Sequence, residues 1–272
     1  MTTTYTIDDL RYLMRRLRDP QTGCPWDLKQ SYKSIAPYTL EEVYEVIDAI
    51  ERNDLSHLGE ELGDLLFQVV FYSQLGAEEK IFNFDTVVHG IVEKLVRRHP
   101  HVFPEGTLAS QRDQTSTAAE ETRIKKVWEE IKKQEREDKG DRRTLDDIPM
   151  AMPALSRGQK LQKRAATTGF DWDNSQDVLN KVREELDELE VEVKANNSSA
   201  MEEELGDLLF SCVNLARHLA IDPELAMRKA NNKFQRRFAA MEEIAAENGE
   251  SEFAQLSVDE MALLWNQVKQ KE

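Results

Sequence analysis

Apolar residues Leu40, Val43, Ile47 and Ile50 recur at the spacing of one helical face, and Thr39 followed by Glu42 has the form of an N-terminal capping box. This pattern predicts a helix opening at Thr39. The same periodicity predicts a second helix from about His57 to Leu75 and a third from about Phe84 to Arg98, stopped by Pro100. Later in the chain the plan recurs, with helices expected near Val178–Lys194, Ala200–Leu219 and Pro223–Asn248. Residues 250–272 read as a terminal helix with Trp265 on its apolar side. Strand patterns are weak, and the 8 prolines and 11 glycines fall nearly all between the helical stretches, so the expected class is all-α.

The block Glu-Glu-Leu-Gly-Asp-Leu-Leu-Phe occurs twice, at Glu60–Phe67 and at Glu203–Phe210, and the same offset carries Glu41, Glu42 and Glu45 onto Glu184, Glu185 and Glu188. A self-match of this length marks a tandem repeat of one helical module. The expected organisation is therefore a first module over 1–103, a linker over 104–149 and a second module over 150–272. The linker is polar to about Thr117 and then highly charged, which predicts a mobile first part and a helical stretch around Val127–Ile131.

Charge narrows the partners. The formal net charge is −16, with acids spread through both halves, which argues against a nucleic-acid surface because such a surface needs a basic stripe. A small anion remains compatible if a divalent cation mediates. The two cysteines, Cys24 and Cys212, lack metal-ligand or redox spacing, so no disulfide framework or zinc site is indicated and a reducing, cytoplasmic location is expected. Met1 to Asp19 has no apolar core of signal-peptide length, and runs such as Leu65–Tyr72 are too short to span a bilayer. No membrane association is expected.

In a helix, residues three or four apart share a face, so Glu185 pairs with Glu188, and Glu204 with Asp207 on the next helix. The short connection Ala195–Ser199 makes those helices antiparallel neighbours, across which four carboxylates can converge. In the first copy the set is Glu42, Glu45, Glu61 and Asp64. Acids at such spacing usually form a solvated face. Three features weigh against that here: Asp64 and Asp207 directly precede Leu-Leu-Phe, Gly63 and Gly206 inside helices suggest a close approach of backbones, and both copies keep the acids. An oxygen-only set suits Mg²⁺, with Mn²⁺ as a substitute, and Mg²⁺ commonly shares its shell with substrate phosphates. No Glu-x-x-His occurs in the chain, which argues against a di-iron bundle.

Cations repeat as well, as Lys94, Arg97 and Arg98 in one copy and Lys233, Arg236 and Arg237 in the other. Such a face is a candidate phosphate clamp or a set of surface salt-bridge partners. Asn231 precedes Lys233 where Val92 precedes Lys94, and the first copy runs on into His99-Pro-His101-Val-Phe103. Cys24-Pro25-Trp26-Asp27 and Gly169-Phe170-Asp171-Trp172-Asp173 place an aromatic residue before each carboxylate helix, either to stack on a base or to cap the helical core.

Glu184-Glu185-x-x-Glu188, then Glu204-x-x-Asp207, then Asn231 with Lys233 and Arg237, resembles the MazG family of nucleoside triphosphate pyrophosphohydrolases. With the Cys-Pro-Trp-Asp, His-Pro-His-Val-Phe and Gly-Phe-Asp-Trp blocks, the resemblance to tandem bacterial members extends along nearly the whole chain. It implies an all-α, homodimeric, Mg²⁺-dependent enzyme whose modules pack into four-helix-type bundles on dimerisation, and which converts nucleoside triphosphates to monophosphate and pyrophosphate. Carried over by position, Glu185, Glu188, Glu204 and Asp207 would hold the metal and Glu184 or Glu185 would act as base. Lys233 and Arg237 would meet the triphosphate, with Asn231, Arg236 and Trp172 as further candidates for substrate binding, and Glu42, Glu45, Glu61, Asp64, Lys94 and Arg98 are candidates for a second site. The resemblance also implies that the second module carries most activity. A different class, a nucleotide-sensing or adaptor protein with a protein partner and little turnover, stands as the alternative.

Overall fold

The computed structural model describes residues 4–111, 123–124, 127–132, 134–135, 143–247 and 253–271. These are mostly helical, with no strand among the described residues, and the chain divides into two units, Met1–Lys132 and Lys133–Glu272. The first unit contains α1 (Ile7–Leu17), α2 (Pro25–Lys29), α3 (Tyr32–Glu51), α4 (Leu55–Glu78) and α5 (Phe84–Arg98). The second contains α6 (Ala154–Ala166), α7 (Ser175–Ala195), α8 (Ser198–His218), α9 (Pro223–Glu247) and α10 (Val258–Gln270). Residues 127–132 are helical, as expected; the polar stretch expected to be mobile falls in part, at 112–117, outside the described residues. No helix among the described residues is long and apolar enough to cross a membrane.

Each unit is organised around one helical hairpin, α3 with α4 and α7 with α8. The chain reverses at Asn53 (φ 58°) and Asn196 (φ 54°), in left-handed backbone that asparagine tolerates better than most residues. The next side chain then caps the following helix. Asp54 accepts the His57 N–H at 3.1 Å, and Asn197 accepts the Ala200 N–H at 3.5 Å.

The start of α3 corrects the sequence reading. Its cap is Ser31, which exchanges hydrogen bonds with Ser34 (Ser31 N–H to Ser34 Oγ, 2.8 Å; Ser34 N–H to Ser31 Oγ, 3.3 Å). Thr39 lies inside the helix, its hydroxyl donating to the Ile35 carbonyl at 3.2 Å and bonded to the Tyr72 hydroxyl at 2.9 Å. Pro37 also lies inside α3, at the cost of one helical hydrogen bond. Burial of Ile35 with Met14, Val70, Phe71 and Leu75 in the first core holds the extra turns in place.

In the second unit, Met241, Ala245, Leu264 and Val268 form a buried cluster between α9 and α10, with Trp265 packed against it as expected. α6 lies against α8, where Gly158 faces Val213 and Phe210. These contacts brace α8, which carries half of the carboxylates.

Candidate active site

Glu185 and Glu188 project from α7 toward Glu204 on α8, and one carboxylate oxygen of each lies within 4.8 Å of the other two. Glu42, Glu45 and Glu61 form the matching group on α3 and α4. Glu185 and Glu61 are buried, whereas Glu188 is exposed. Burial, followed by the charges of Glu188, Glu185 and Asp207, pushes the Glu204 carboxyl above its usual range. Glu42 and Glu61 are raised likewise, by burial first and then by charges that include Asp64. Asp207 and Asp64 thus act on the groups as neighbouring charges.

Each cluster carries its own basic partner, and sequence reasoning missed both. Lys181 lies one turn before the acids on α7, with its Nζ 2.8 Å from Glu184 and 2.9 Å from Glu185. Hydrogen bonds to these two carboxylates raise its pKa, so the ammonium persists at any physiological pH. The repeat puts Tyr38 at that place in the first unit. There the basic partner is His57 instead, a cation when protonated, with Nε2 2.8 Å from Glu61 and Nδ1 3.4 Å from Glu60, where the second copy has Ala200; the Glu60 hydrogen bond, ahead of other causes, raises its pKa. Helical spacing was the available signal, since Lys181 precedes Glu185 by four residues and His57 precedes Glu61 by four.

Beside the second cluster lies a cavity of about 630 Å³, a size that suits a nucleotide. Lys181, Glu185 and Asp207 line it together with Trp172 and the largely exposed Phe170. Glu184 stands outside the three-carboxylate group and the cavity wall, on the exposed face of α7.

The expected clamp residues Asn231, Lys233, Arg236 and Arg237 all lie on α9, and none of them lines this cavity. Asn231, Lys233 and Arg236 are exposed, while the Arg237 guanidinium lies 5.4 Å from the Trp265 ring centre. Lys94 and Arg98 are half-buried on α5. Gly63 and Gly206 require a correction: a methyl group added at either would meet nothing within 4 Å, so no backbone approaches them among the described residues. Their helix faces point into open space.

The loop holding Phe170 and Trp172 is anchored at Asp171. Arg217 donates two hydrogen bonds to that carboxylate, one at 3.0 Å; His218 Nε2 lies 3.0 Å away, and the Trp172 N–H donates at 2.9 Å. The Arg217 contact, ahead of the others, lowers the Asp171 pKa from 3.8 to about 2. A depressed carboxyl stabilises the fold above its unfolded value and loses that contribution as pH falls through its folded value. Asp171→Asn is accordingly expected to cost about 1–2 kcal/mol at neutral pH. In urea unfolding, the gap between wild type and variant should close as the pH is lowered below about 4.

Two stretches, residues 30–103 and 173–240, match the family model of the MazG nucleotide pyrophosphohydrolase domain. The chain belongs to the MazG family. It contains two MazG domains, each holding one carboxylate hairpin. A nucleoside triphosphate pyrophosphohydrolase of Escherichia coli K12 is 49% identical over 268 residues, covering 98% of both chains. The nucleoside triphosphate pyrophosphohydrolase/pyrophosphatase MazG of Thermotoga maritima is 40% identical over 263 residues, covering 97% of this chain and 95% of that one. The uncharacterised YabN of Bacillus subtilis is 43% identical over 269 residues, which is 98% of this chain and 52% of YabN.

Proposed function

We propose that this MazG protein hydrolyses nucleoside triphosphates to monophosphate and pyrophosphate, with Mg²⁺ as cofactor, in its second unit. The observation that carries this reading is the junction of the Glu185, Glu188 and Glu204 group with a nucleotide-sized cavity lined by Lys181, Asp207 and Trp172. All ligand atoms in the group are carboxylate oxygens, and burial, followed by their mutual repulsion, raises Glu204, which is the donor set and charge state that a hard dication relieves. The residues therefore fit Mg²⁺, held by Glu185, Glu188, Glu204 and Asp207. When bound, the ion would supply charge neutralisation for the polyphosphate.

The protein's own groups supply the rest. Lys181, permanently charged at the cavity wall, offers a cation to the phosphate oxygens. Glu185, buried at the same wall, is better placed than the solvent-facing Glu184 to take the proton of a water attacking the α-phosphorus. The α–β bridge bond then breaks and pyrophosphate leaves. Trp172, half-exposed over the cavity, offers a flat apolar face to a base.

The first unit keeps all four acids but has Tyr38 in place of Lys181, and we assign it a supporting role. Leu205 and Leu209 of the second unit and Leu62 and Leu66 of the first leave apolar helix faces exposed, which supports a homodimer. Incubation of the full chain with each common triphosphate and Mg²⁺ tests the activity by product identity. Monophosphate and pyrophosphate are expected in equal amounts. Nucleoside diphosphate with orthophosphate would overturn the proposed cleavage position.

A further inference from the structure

Asp207, Ser211 and Asn214 lie four and three residues apart on α8, hence on one face, and all three line the cavity. Ser211 is 9% exposed, and its hydroxyl has no hydrogen-bond partner among the described residues. Unlike Gln162 Oε1, which is wholly enclosed, this hydroxyl keeps open surface, and on so buried a residue the cavity is where that surface lies. Asn214 is fixed by its Oδ1, which accepts from Arg217 Nε at 3.0 Å and Nη2 at 2.8 Å and so leaves the amide N–H groups to donate. The repeat puts Gln68 and Phe71 at these two places in the first unit, where Gln68 donates to Glu42 and Phe71 fills the core. The second copy thus sets two shorter polar side chains where the first has two that are already engaged.

At a helical rise of about 1.5 Å per residue, Ser211 stands about 6 Å beyond Asp207 and Asn214 about 10 Å beyond it. Arg217, three residues further, holds Asp171 and with it the loop that carries Trp172. The face of α8 therefore runs from the carboxylates, past Ser211, to the aromatic platform. In a nucleotide the sugar lies between phosphate and base, and its hydroxyls both donate and accept, as a serine hydroxyl does. We propose that Ser211 is a specificity-determining residue whose hydroxyl hydrogen-bonds a sugar hydroxyl of the bound nucleotide. This rests on the triphosphate reading given above. An alanine would fill nearly the same space, so packing alone does not call for a hydroxyl here.

The test uses the full chain, Mg²⁺ and a series that loses one sugar hydroxyl at a time: ATP, 2′-deoxy-ATP and 2′,3′-dideoxy-ATP. For the wild type, kcat/KM is expected to fall about fivefold or more at one of the two steps, and that step names the hydroxyl in contact. In Ser211→Ala, ATP should lose a similar factor and the three nucleotides should be used within about twofold of one another, with the melting temperature near that of the wild type. A structural defect would slow all three alike and keep their ratios, so the flattened series reads the contact itself. Equal use of the three by the wild type, or ratios unchanged by Ser211→Ala, would overturn the proposal. Absence of pyrophosphate from wild type with ATP would instead strike the triphosphate reading.

Discussion

Glu188→Gln is expected to lower pyrophosphate release by about 10²–10³-fold while leaving the fold intact, and Glu45→Gln, its counterpart in the first unit, to leave turnover within about twofold. Glu188 is exposed and carries no core contact, so its amide removes a ligand charge without opening a cavity. Relief of repulsion from Glu185 and Glu204 should even raise the melting temperature slightly. Steady-state kinetics on the two variants, with circular dichroism as the fold control, checks both halves. Equal losses in both would overturn the assignment of catalysis to the second unit, and survival of activity in Glu188→Gln would remove the carboxylate group from the mechanism.

Mg²⁺ at a hundredfold excess over its dissociation constant should raise the melting temperature near neutral pH by about 5–10 °C. The sign follows from Glu42, Glu61 and Glu204, whose folded pKa values all lie above the ordinary 4.5. A raised carboxyl favours the protonated folded state. These groups therefore weaken the fold at any pH above their folded values, and the penalty disappears as pH falls toward 4.5. A dication removes the same penalty at neutral pH, so the two effects compete. The Mg²⁺ shift should shrink steadily from about pH 7.5 to about pH 5, and Glu188→Gln should reduce it at every pH. Calorimetric scans with Mg²⁺ and with K⁺ at matched ionic strength decide the matter, because an equal shift from K⁺ means simple screening.

How far the sequence could be read is clearest from particular residues. The acidic hairpin was legible because helical spacing fixes which carboxylates share a face, and the Asn53-Asp54 and Asn196-Asn197 turns fix the antiparallel return. The opening of α3 was not, since Ser31 uses Ser34 where a Glu was sought and tertiary burial of Ile35 carries the helix through Pro37. Lys233 and Arg237 illustrate a second limit. Spacing places both on one face of α9, but not which surface that face meets, and the cation beside Glu185 is Lys181 from the same helix. Gly206 shows a third, because a missing side chain signals close packing only where something approaches, and nothing does so among the described residues.

The basic partners Lys181 and His57 each sit on the same helix as an acid they restrain, four residues away. Electrostatic self-sufficiency of this kind makes each hairpin a transferable part. The first copy, which has Tyr38 where the second has Lys181, keeps a local partner for its buried Glu61 in His57, so the restraint on the carboxylates stays within the hairpin.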